Sequence, residues 1–295
     1  MIDQETRSRI KKLEIHTKRI MHNALAGDYL SAFKGSGLEF HQIRDYQSGD
    51  DVRSIDWNSS AKMNKIMVKQ FVEERDRTVI VAIDISGSTA YASGRTLRAE
   101  TIADIAGTLA LVASHNKDKV GVLFFSDVVE HWIAPSKGNV HFGRVIERIF
   151  STKPSSRPTS LAAALKFLIQ LKKKNAVVFL LSDFIDQSDD YHRLLKVAGC
   201  EYDLIALRIL DRCEMQLPDC GFVEVVDSET GMHAMLDTRG GKSADHPLNY
   251  FLRERIYQQR KMFEKYRIDL LDLAVDTPFI NPLIKFFHQR TRRQI

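Results

Sequence analysis

An aspartate and two serines at two-residue spacing close the apolar run VIVAIDISGS, residues 79–88. Asp84 ends a predicted buried strand, and Ser86 and Ser88 follow in the next loop. Ligand sites in open α/β sheets lie just past the carboxyl ends of strands. A carboxylate and two hydroxyls suit a hard cation such as Mg²⁺, but Asp and Ser also form ordinary turns. From this run alone, the three residues could be either metal ligands or an ordinary turn that leads into a helix.

Two distant residues occupy the same kind of position. Thr159 precedes the helical pattern SLAAALKFLIQL, and Asp183 ends the strand pattern VVFLLSD. Taken singly, Thr159 or Ser160 suits a helix N-cap, and Asp183 could be another cap. Because loops at the carboxyl edge of a parallel sheet can converge, the joint arrangement predicts one site for a divalent cation. Mg²⁺ is the first choice, with Mn²⁺ or Ca²⁺ as alternatives, and the predicted ligands are Asp84, Ser86, Ser88, Thr159 and Asp183.

The elements that must position these residues alternate regularly after residue 77. The strand patterns are TVIVAID, KVGVLFFSD, VEHWIAP, AVVFLLSD, YDLIALRIL and IDLLDLAVD, with helical patterns between most of them and over residues 247–266. Near-continuous apolar strands that alternate with helices are typical of a sheet covered on both faces. We therefore predict a three-layer α/β/α, Rossmann-like fold with a mostly parallel central sheet. The patterns FVEVVD and HAMLD predict an additional edge hairpin.

The chain divides into three predicted parts. Residues 1–76 form an N-terminal extension packed on the core, residues 77–276 form the α/β domain, and residues 277–295 form a basic C-terminal tail. The extension is predicted to begin with a helix, and its later part is too apolar for a linker. It also carries a charged cluster around Trp57, which either makes structural ion pairs and caps or offers an acidic surface to a partner. The cluster consists of Arg44, Asp45, Asp50, Asp51, Arg53 and Asp56.

Composition narrows the class of protein. The chain has 295 residues, 44% hydrophobic and 27% charged residues, and a formal net charge of +5. This charge is small for the length and argues against nucleic-acid binding. No apolar stretch reaches the length of a membrane span, the N-terminus lacks the apolar core of a signal peptide, and the three cysteines lack metal-type pairing. These features predict a cytoplasmic protein without direct membrane insertion.

Two resemblances extend this interpretation. The DISGS element, with Thr159 and Asp183, resembles the metal-ion-dependent adhesion site of von Willebrand factor A domains over residues 77–276. Residues 35–76, GSGLEFHQIRDYQSGDDVRSIDWNSSAKMNKIMVKQFVEERD, resemble the signature of the bacterial domain-of-unknown-function fifty-eight family. Genes of that family commonly sit beside genes of MoxR-type AAA+ ATPases, which implies such an ATPase as a partner.

The functional prediction is a protein-interaction adaptor rather than an enzyme. In it, the bound cation captures a carboxylate from a MoxR-type AAA+ ATPase or from an unknown client protein, in chaperone-like assembly or maturation. The alternative is a Mg²⁺-dependent phosphatase or phosphotransferase, since a strand-end aspartate such as Asp84 can form a phospho-aspartyl intermediate. Such enzymes generally carry a second acid two positions on, where this chain has Ser86. The sequence has no Walker A motif, so we do not expect ATP hydrolysis by this chain.

Overall fold

The computed structural model describes residues 8–11, 38–47, 49–73, 77–173, 176–186, 190–227, 231–241 and 246–293. The chain forms two compact units. The smaller unit is Lys34–Arg77, and the larger one combines Met1–Phe33 with Thr78–Ile295. The packing of the extension on the core stays a prediction.

The small unit is built on an antiparallel strand pair. Strands β1 (Leu38–Asp45) and β2 (Met67–Glu73) pair directly, and a short 3-10 helix (Val52–Ser54) and helix α1 (Trp57–Met63) lie between them in the chain. The alternating run KIMVKQFVEE, residues 65–74, predicts an additional strand and contains β2, whereas β1 is not predicted.

The charged cluster of the small unit makes local contacts. Arg44 donates two hydrogen bonds to Asp50, of 2.8 and 2.7 Å, a bidentate geometry. Asp51 caps the 3-10 helix, and Asp56 caps α1. These contacts agree with the alternative of ion pairs and caps. The Trp57 side chain, in contrast, is 68% exposed, although its aromatic area favours burial.

A six-stranded sheet forms the centre of the large unit. Its order is β10-β7-β6-β3-β4-β5, and every neighbouring pair is parallel except β4 with β5. The predicted edge hairpin is a separate two-stranded sheet, β8-β9. The strands are β3 (Thr78–Asp84), β4 (Lys119–Phe125), β5 (Val129–Ser136), β6 (Ala176–Ser182), β7 (Asp203–Leu210), β8 (Phe222–Val226), β9 (His233–Asp237) and β10 (Asp269–Ala274).

Helices cover both faces of this sheet, as predicted. Because side chains alternate across a strand, Val79 and Val81 of β3 pack in one core, and Ile80 and Ala82 pack in the other. Helices α2, α3 and α8 contribute to the first core, and α4, α5 and α7 contribute to the second. Their bounds, with the short α6, are α2 (Arg98–His115), α3 (Asn139–Ser151), α4 (Leu161–Leu171), α5 (Tyr191–Glu201), α6 (Arg212–Met215), α7 (Pro247–Lys265) and α8 (Ile280–Arg293).

The C-terminal segment differs from the predicted basic tail. Residues 277–295 contain helix α8, in which Leu283 and Phe287 are fully buried in the core. The Phe287 ring meets the Phe179 ring of the sheet edge-on at 6.2 Å. Arg290 pairs with the Asp203 carboxylate. The segment is therefore part of the α/β fold, because its two buried side chains lie one helical turn apart on a single face.

Other predictions meet the structure only in part. The predicted N-terminal helix has its apolar positions at Ile10, Leu13, Ile20 and Leu25. Residues 8–11 are helical and Ile10 packs against the core, while the other three positions lie outside the described residues. All three cysteines are free thiols. Within the described ranges, no helix is long and apolar enough to cross a membrane.

Candidate metal centre

The two predicted carboxylates lie at the ends of neighbouring strands. Asp84 is the last residue of β3, and Asp183 directly follows Ser182, the last residue of β6. The two strands pair in parallel with Ile83 opposite Leu181, so both carboxylates reach the same carboxyl edge. Asp84 and Asp183 are each 1% exposed. The sheet therefore brings together two buried acids that are 99 residues apart in the chain.

The three predicted hydroxyls form a connected cluster at this edge. Thr159 Oγ1 donates a hydrogen bond of 2.7 Å to Ser86 Oγ, across 73 residues of sequence. Ser86 Oγ lies 3.1 Å from Ser88 Oγ. Ser160, and not Thr159, caps α4, because its side chain accepts the amide hydrogen of Ala163. The structure thus decides between the two capping candidates and leaves the Thr159 hydroxyl in the cluster.

Backbone hydrogen bonds hold the two loops of the hydroxyl cluster against each other. The amide of Gly87 donates to the carbonyl of Arg157 at 2.9 Å. The amide of Ser155 donates to the carbonyl of Ile85 at 2.6 Å. The loop that carries Thr159 is therefore fixed to the loop that carries the serines.

Burial and charge both act on Asp84. Its Oδ2 accepts a 2.6 Å hydrogen bond from Ser182 Oγ, and its Oδ1 accepts one of 2.9 Å from the Ser86 amide. Burial, followed by the charge of Asp183, raises the pKa of Asp84 to about 7, against the smaller opposing effect of these hydrogen bonds. Without a cation, the Asp84 carboxyl therefore holds a proton at pH values where an exposed aspartate would be ionised.

A buried arginine, which the sequence did not suggest, lies beside the second carboxylate. Arg98 opens helix α2, and its Nη1 lies 2.5 Å from Asp183 Oδ2 and donates to the carbonyl of Ser88 at 3.2 Å. Its Nη2 lies 2.6 Å from Glu214 Oε1. Burial lowers the pKa of Arg98, but the charges of Asp183 and Glu214 outweigh burial and raise it overall, so the guanidinium stays positive.

One feature of the sequence, the position of Arg98 at the start of a helix, indicates that this residue is unusual. A cation in the first turn of a helix is opposed by the helix dipole, so an arginine at the start of α2 is weakly disfavoured unless acidic groups lie nearby. The sequence gave no means of identifying that partner, since Asp183 is 85 residues away. Ser182 lies inside the strand pattern VVFLLSD, so its position alone does not mark it as part of the site.

The donor set fits a hard cation, with a restriction. Asp84 and three clustered hydroxyls offer only oxygen ligands, the kind that Mg²⁺ and Ca²⁺ prefer. Asp183 forms an ion pair with Arg98 through Oδ2, and its Oδ1 accepts the Ile185 amide hydrogen at 2.9 Å. Among the described residues, no group of three or more His, Cys, Asp or Glu could hold a metal ion. A cation here would therefore depend on hydroxyl and water oxygens as much as on carboxylates.

The residues of the hydroxyl cluster differ in exposure. Ser86 and Thr159 are buried, whereas Ser88 is partly exposed. An external ligand would approach from the side of Ser88, at the carboxyl edge of the sheet.

Together, the fold and this edge define a three-layer α/β/α protein with a candidate oxygen-ligand cation site. The chain belongs to the family described as "Protein of unknown function DUF58", whose model matches residues 42–245. It is 24% identical over 232 residues to an uncharacterized protein of Mycobacterium tuberculosis strain H37Rv, covering 78% of this chain and 73% of that protein. It is 26% identical over 102 residues to an uncharacterized protein of Mycobacterium avium, covering 33% and 59% of the two chains.

Two solved structures are similar to this chain in fold, at low sequence identity. One is a conserved hypothetical protein BatB from Bacteroides thetaiotaomicron, with 15% identity, a TM-score of 0.47, and coverage of 73% of this chain and 99% of that chain. The other is an aerotolerance-related membrane protein from Bacteroides fragilis, with 16% identity, a TM-score of 0.45, and coverage of 74% and 99%.

Proposed function

We propose that this protein is a metal-dependent protein-interaction adaptor of the von Willebrand factor A type. The observation that carries the proposal is the cluster in which Ser86, Ser88 and Thr159 meet within hydrogen-bonding distance beside two buried carboxylates. These three hydroxyls and two carboxylates are the five predicted ligands, and they also resemble a metal-ion-dependent adhesion site. In this proposal they hold Mg²⁺, with Mn²⁺ or Ca²⁺ as possible substitutes.

The charge of the site favours capture of an outside carboxylate. Asp84 and Asp183 carry two negative charges when ionised, and Arg98 already offsets one of them. A divalent cation bound there leaves local positive charge and coordination positions for water or a ligand. A glutamate or aspartate side chain from a partner, approaching beside the partly exposed Ser88, supplies both a negative charge and an oxygen ligand.

The proposed partner is a MoxR-type AAA+ ATPase, together with a client protein. Support for this partner comes from the resemblance of residues 35–76 to a family whose genes commonly sit beside genes of such ATPases. The adaptor would hold the client or the ATPase through the cation while the ATPase supplies nucleotide-driven motion. Because the ATPase draws on cellular ATP, the proposed place of action is the cytoplasm.

Pull-down of a neighbouring MoxR-type ATPase, with and without EDTA, tests this function. We expect wild-type protein to retain the ATPase in Mg²⁺ and to lose it in EDTA. Asp84→Ala should fail in both conditions. Asp237→Ala, which removes an exposed aspartate of the β9 hairpin, is the matched control and should behave as wild type. Association that persists in EDTA and in Asp84→Ala would refute the metal-dependent interface.

A phosphate-ester assay separates this function from the alternative. The position two residues after Asp84 is Ser86, whose hydroxyl is engaged by Thr159 and lies close to Ser88. A phosphatase or phosphotransferase that uses Asp84 as nucleophile should release phosphate from a generic ester in Mg²⁺. We expect no turnover above the Asp84→Ala background, and turnover that depends on Asp84 would favour the enzyme instead.

A further inference from the structure

A cleft of about 530 Å³ lies between the loop that follows β6 and helix α7. Phe184, Ile185 and Asp186 form the loop side of this cleft, and the start of α5 adds to its lining. The side chains contributed by α7 are mostly polar or basic, and they include Arg255, Gln258, Gln259, Lys261 and Lys265. We call this space the α7 cleft.

The loop wall of the α7 cleft is firmly anchored. Gln259 Nε2 donates a 2.7 Å hydrogen bond to the carbonyl of Phe184. The Phe184 ring is buried and meets the Phe263 ring of α7 edge-on at 5.1 Å. Asp186 Oδ2 accepts the amide hydrogen of Leu161, at the start of α4, at 2.8 Å. The cleft is therefore a preformed feature and does not need to open for a ligand.

The α7 cleft is positively charged. Helix α7 carries five Arg or Lys residues and two Glu. Arg255 and Lys265 line the cleft and form no ion pair with any residue in the described part of the chain. The Lys261 ammonium lies 4.5 Å from the centre of the Tyr257 ring, so it already makes a cation–π contact within α7. The carboxylate of Asp186, which also lines the cleft, is engaged by the α4 amide. Two basic groups thus remain available to an anionic ligand.

This cleft adjoins the candidate metal centre along the chain. The Asp183 side chain faces that centre, and the next three residues line the cleft. Asp183 Oδ1 accepts the amide hydrogen of Ile185, so a residue of the metal centre is hydrogen-bonded to a residue of the cleft wall. Three residues span at most about 11 Å. A short extended peptide with one side chain at the cation could therefore place its neighbouring side chains in the α7 cleft.

We infer that the α7 cleft binds an acidic peptide segment of the partner, next to the carboxylate that the cation captures. The inference rests on the proposed function and names the chemistry of the partner: several Asp or Glu residues close together, one for the cation and others for Arg255 and Lys265. Charge complementarity favours this occupant over a neutral peptide, and the concave shape favours a narrow chain over a flat anionic surface.

Fluorescence anisotropy with the full chain tests this inference. The probe is a labelled peptide of alternating Glu and Gly, measured in Mg²⁺ at low and at physiological salt. The test variant is Arg255→Gln with Lys265→Gln. The control variant is Arg253→Gln with Lys166→Gln, which removes the same charge from two exposed residues that do not line the cleft.

We expect the test variant to weaken peptide binding about tenfold and the control variant to weaken it less than about twofold. Asp84→Ala should remove the effect of Mg²⁺ on peptide binding. The binding that remains should still be weakened when Arg255→Gln and Lys265→Gln are added. Equal weakening by both charge variants would overturn the inference, because it would indicate general surface attraction. A single-stranded oligonucleotide that binds more tightly than the peptide, with the same sensitivity to the cleft variant, would also overturn it. If cleft-dependent binding is found without any Mg²⁺ effect, the proposed metal function fails while the cleft site stands.

Discussion

Arg98 and Asp183 form an ion pair in which the two side chains are only 2% and 0% exposed, with Nη1 and Oδ2 2.5 Å apart. The pair places a fixed positive charge where a cation is proposed to bind. Breaking a buried pair by removal of one partner typically costs about 3–5 kcal/mol, because the other charge stays buried. The arginine therefore contributes to the stability of the metal-free protein, and it would compete with the proposed cation for Asp183.

Arg98→Met should lower the stability of the metal-free protein by about 3–5 kcal/mol. Mg²⁺ should then raise its melting temperature more than it raises that of wild type, because the cation replaces the missing charge. Arg208→Met is the matched control, since Arg208 is also fully buried but pairs with Asp272. Melting curves with and without Mg²⁺ give the comparison. An equal Mg²⁺ shift in wild type and Arg98→Met would contradict the proposed competition.

Asp84→Ala should abolish Mg²⁺ and Mn²⁺ binding in isothermal calorimetry. Asp84 supplies a carboxylate that pairs with no arginine among the described residues, and it lies at the end of β3, outside the two hydrophobic cores. The variant should still unfold cooperatively, which separates loss of the site from loss of the fold. Equal binding by wild type and Asp84→Ala would rule out a cation at this edge.

Metal affinity should depend on pH through Asp84. Burial and the charge of Asp183 raise the pKa of this carboxyl to about 7, so a cation must displace its proton at lower pH. Affinity should rise about tenfold per pH unit below about pH 7 and level off above it. Calorimetry in buffers of different ionisation enthalpy counts the released proton. A flat affinity between pH 5.5 and 7.5 would show that Asp84 does not titrate with binding.

The same titration has an effect of opposite sign on the metal-free protein. The folded-state pKa of Asp84, about 7, lies above the ordinary aspartate pKa of 3.8. The folded protein therefore binds more protons than the unfolded chain between these values, and this contribution to stability falls as pH rises through the window. Denaturant titrations of wild type and Asp84→Asn without metal isolate the contribution, since the amide cannot titrate. The fall in stability that is due to Asp84 should be absent in Asp84→Asn.

Thr159 and Ser160 should separate metal binding from helix capping. Thr159→Ala removes a hydroxyl of the cluster and should lower Mg²⁺ affinity, whereas Thr159→Ser should retain it. Ser160→Ala removes the N-cap of α4 and should cost about 1 kcal/mol of stability without changing affinity. Paired calorimetry and denaturant unfolding check both effects. Reduced affinity in Ser160→Ala alone would reverse the two assignments.

Much of the architecture follows from local patterns in the sequence. The strand ends at Asp84 and Asp183 were visible because apolar runs stop at polar residues, and parallel pairing then brings such ends to one edge. Helix α8 was missed because its many basic residues obscured the one-turn spacing of Leu283 and Phe287. Long-range partners such as Arg98 and Asp183 follow from folded geometry, which periodicity does not encode.

The hydrogen bonds from Gly87 to Arg157 and from Ser155 to Ile85 have a consequence for ion size. They tie together the two loops whose hydroxyls form the cluster, so the spacing of these oxygens cannot easily expand. Mg²⁺ requires oxygens at about 2.0–2.1 Å in near-octahedral geometry, while Ca²⁺ takes six to eight oxygens at about 2.3–2.6 Å in flexible sites. If the proposed cation binds here, we therefore expect Mg²⁺ to bind more tightly than Ca²⁺, and lengthening either loop should reduce that preference.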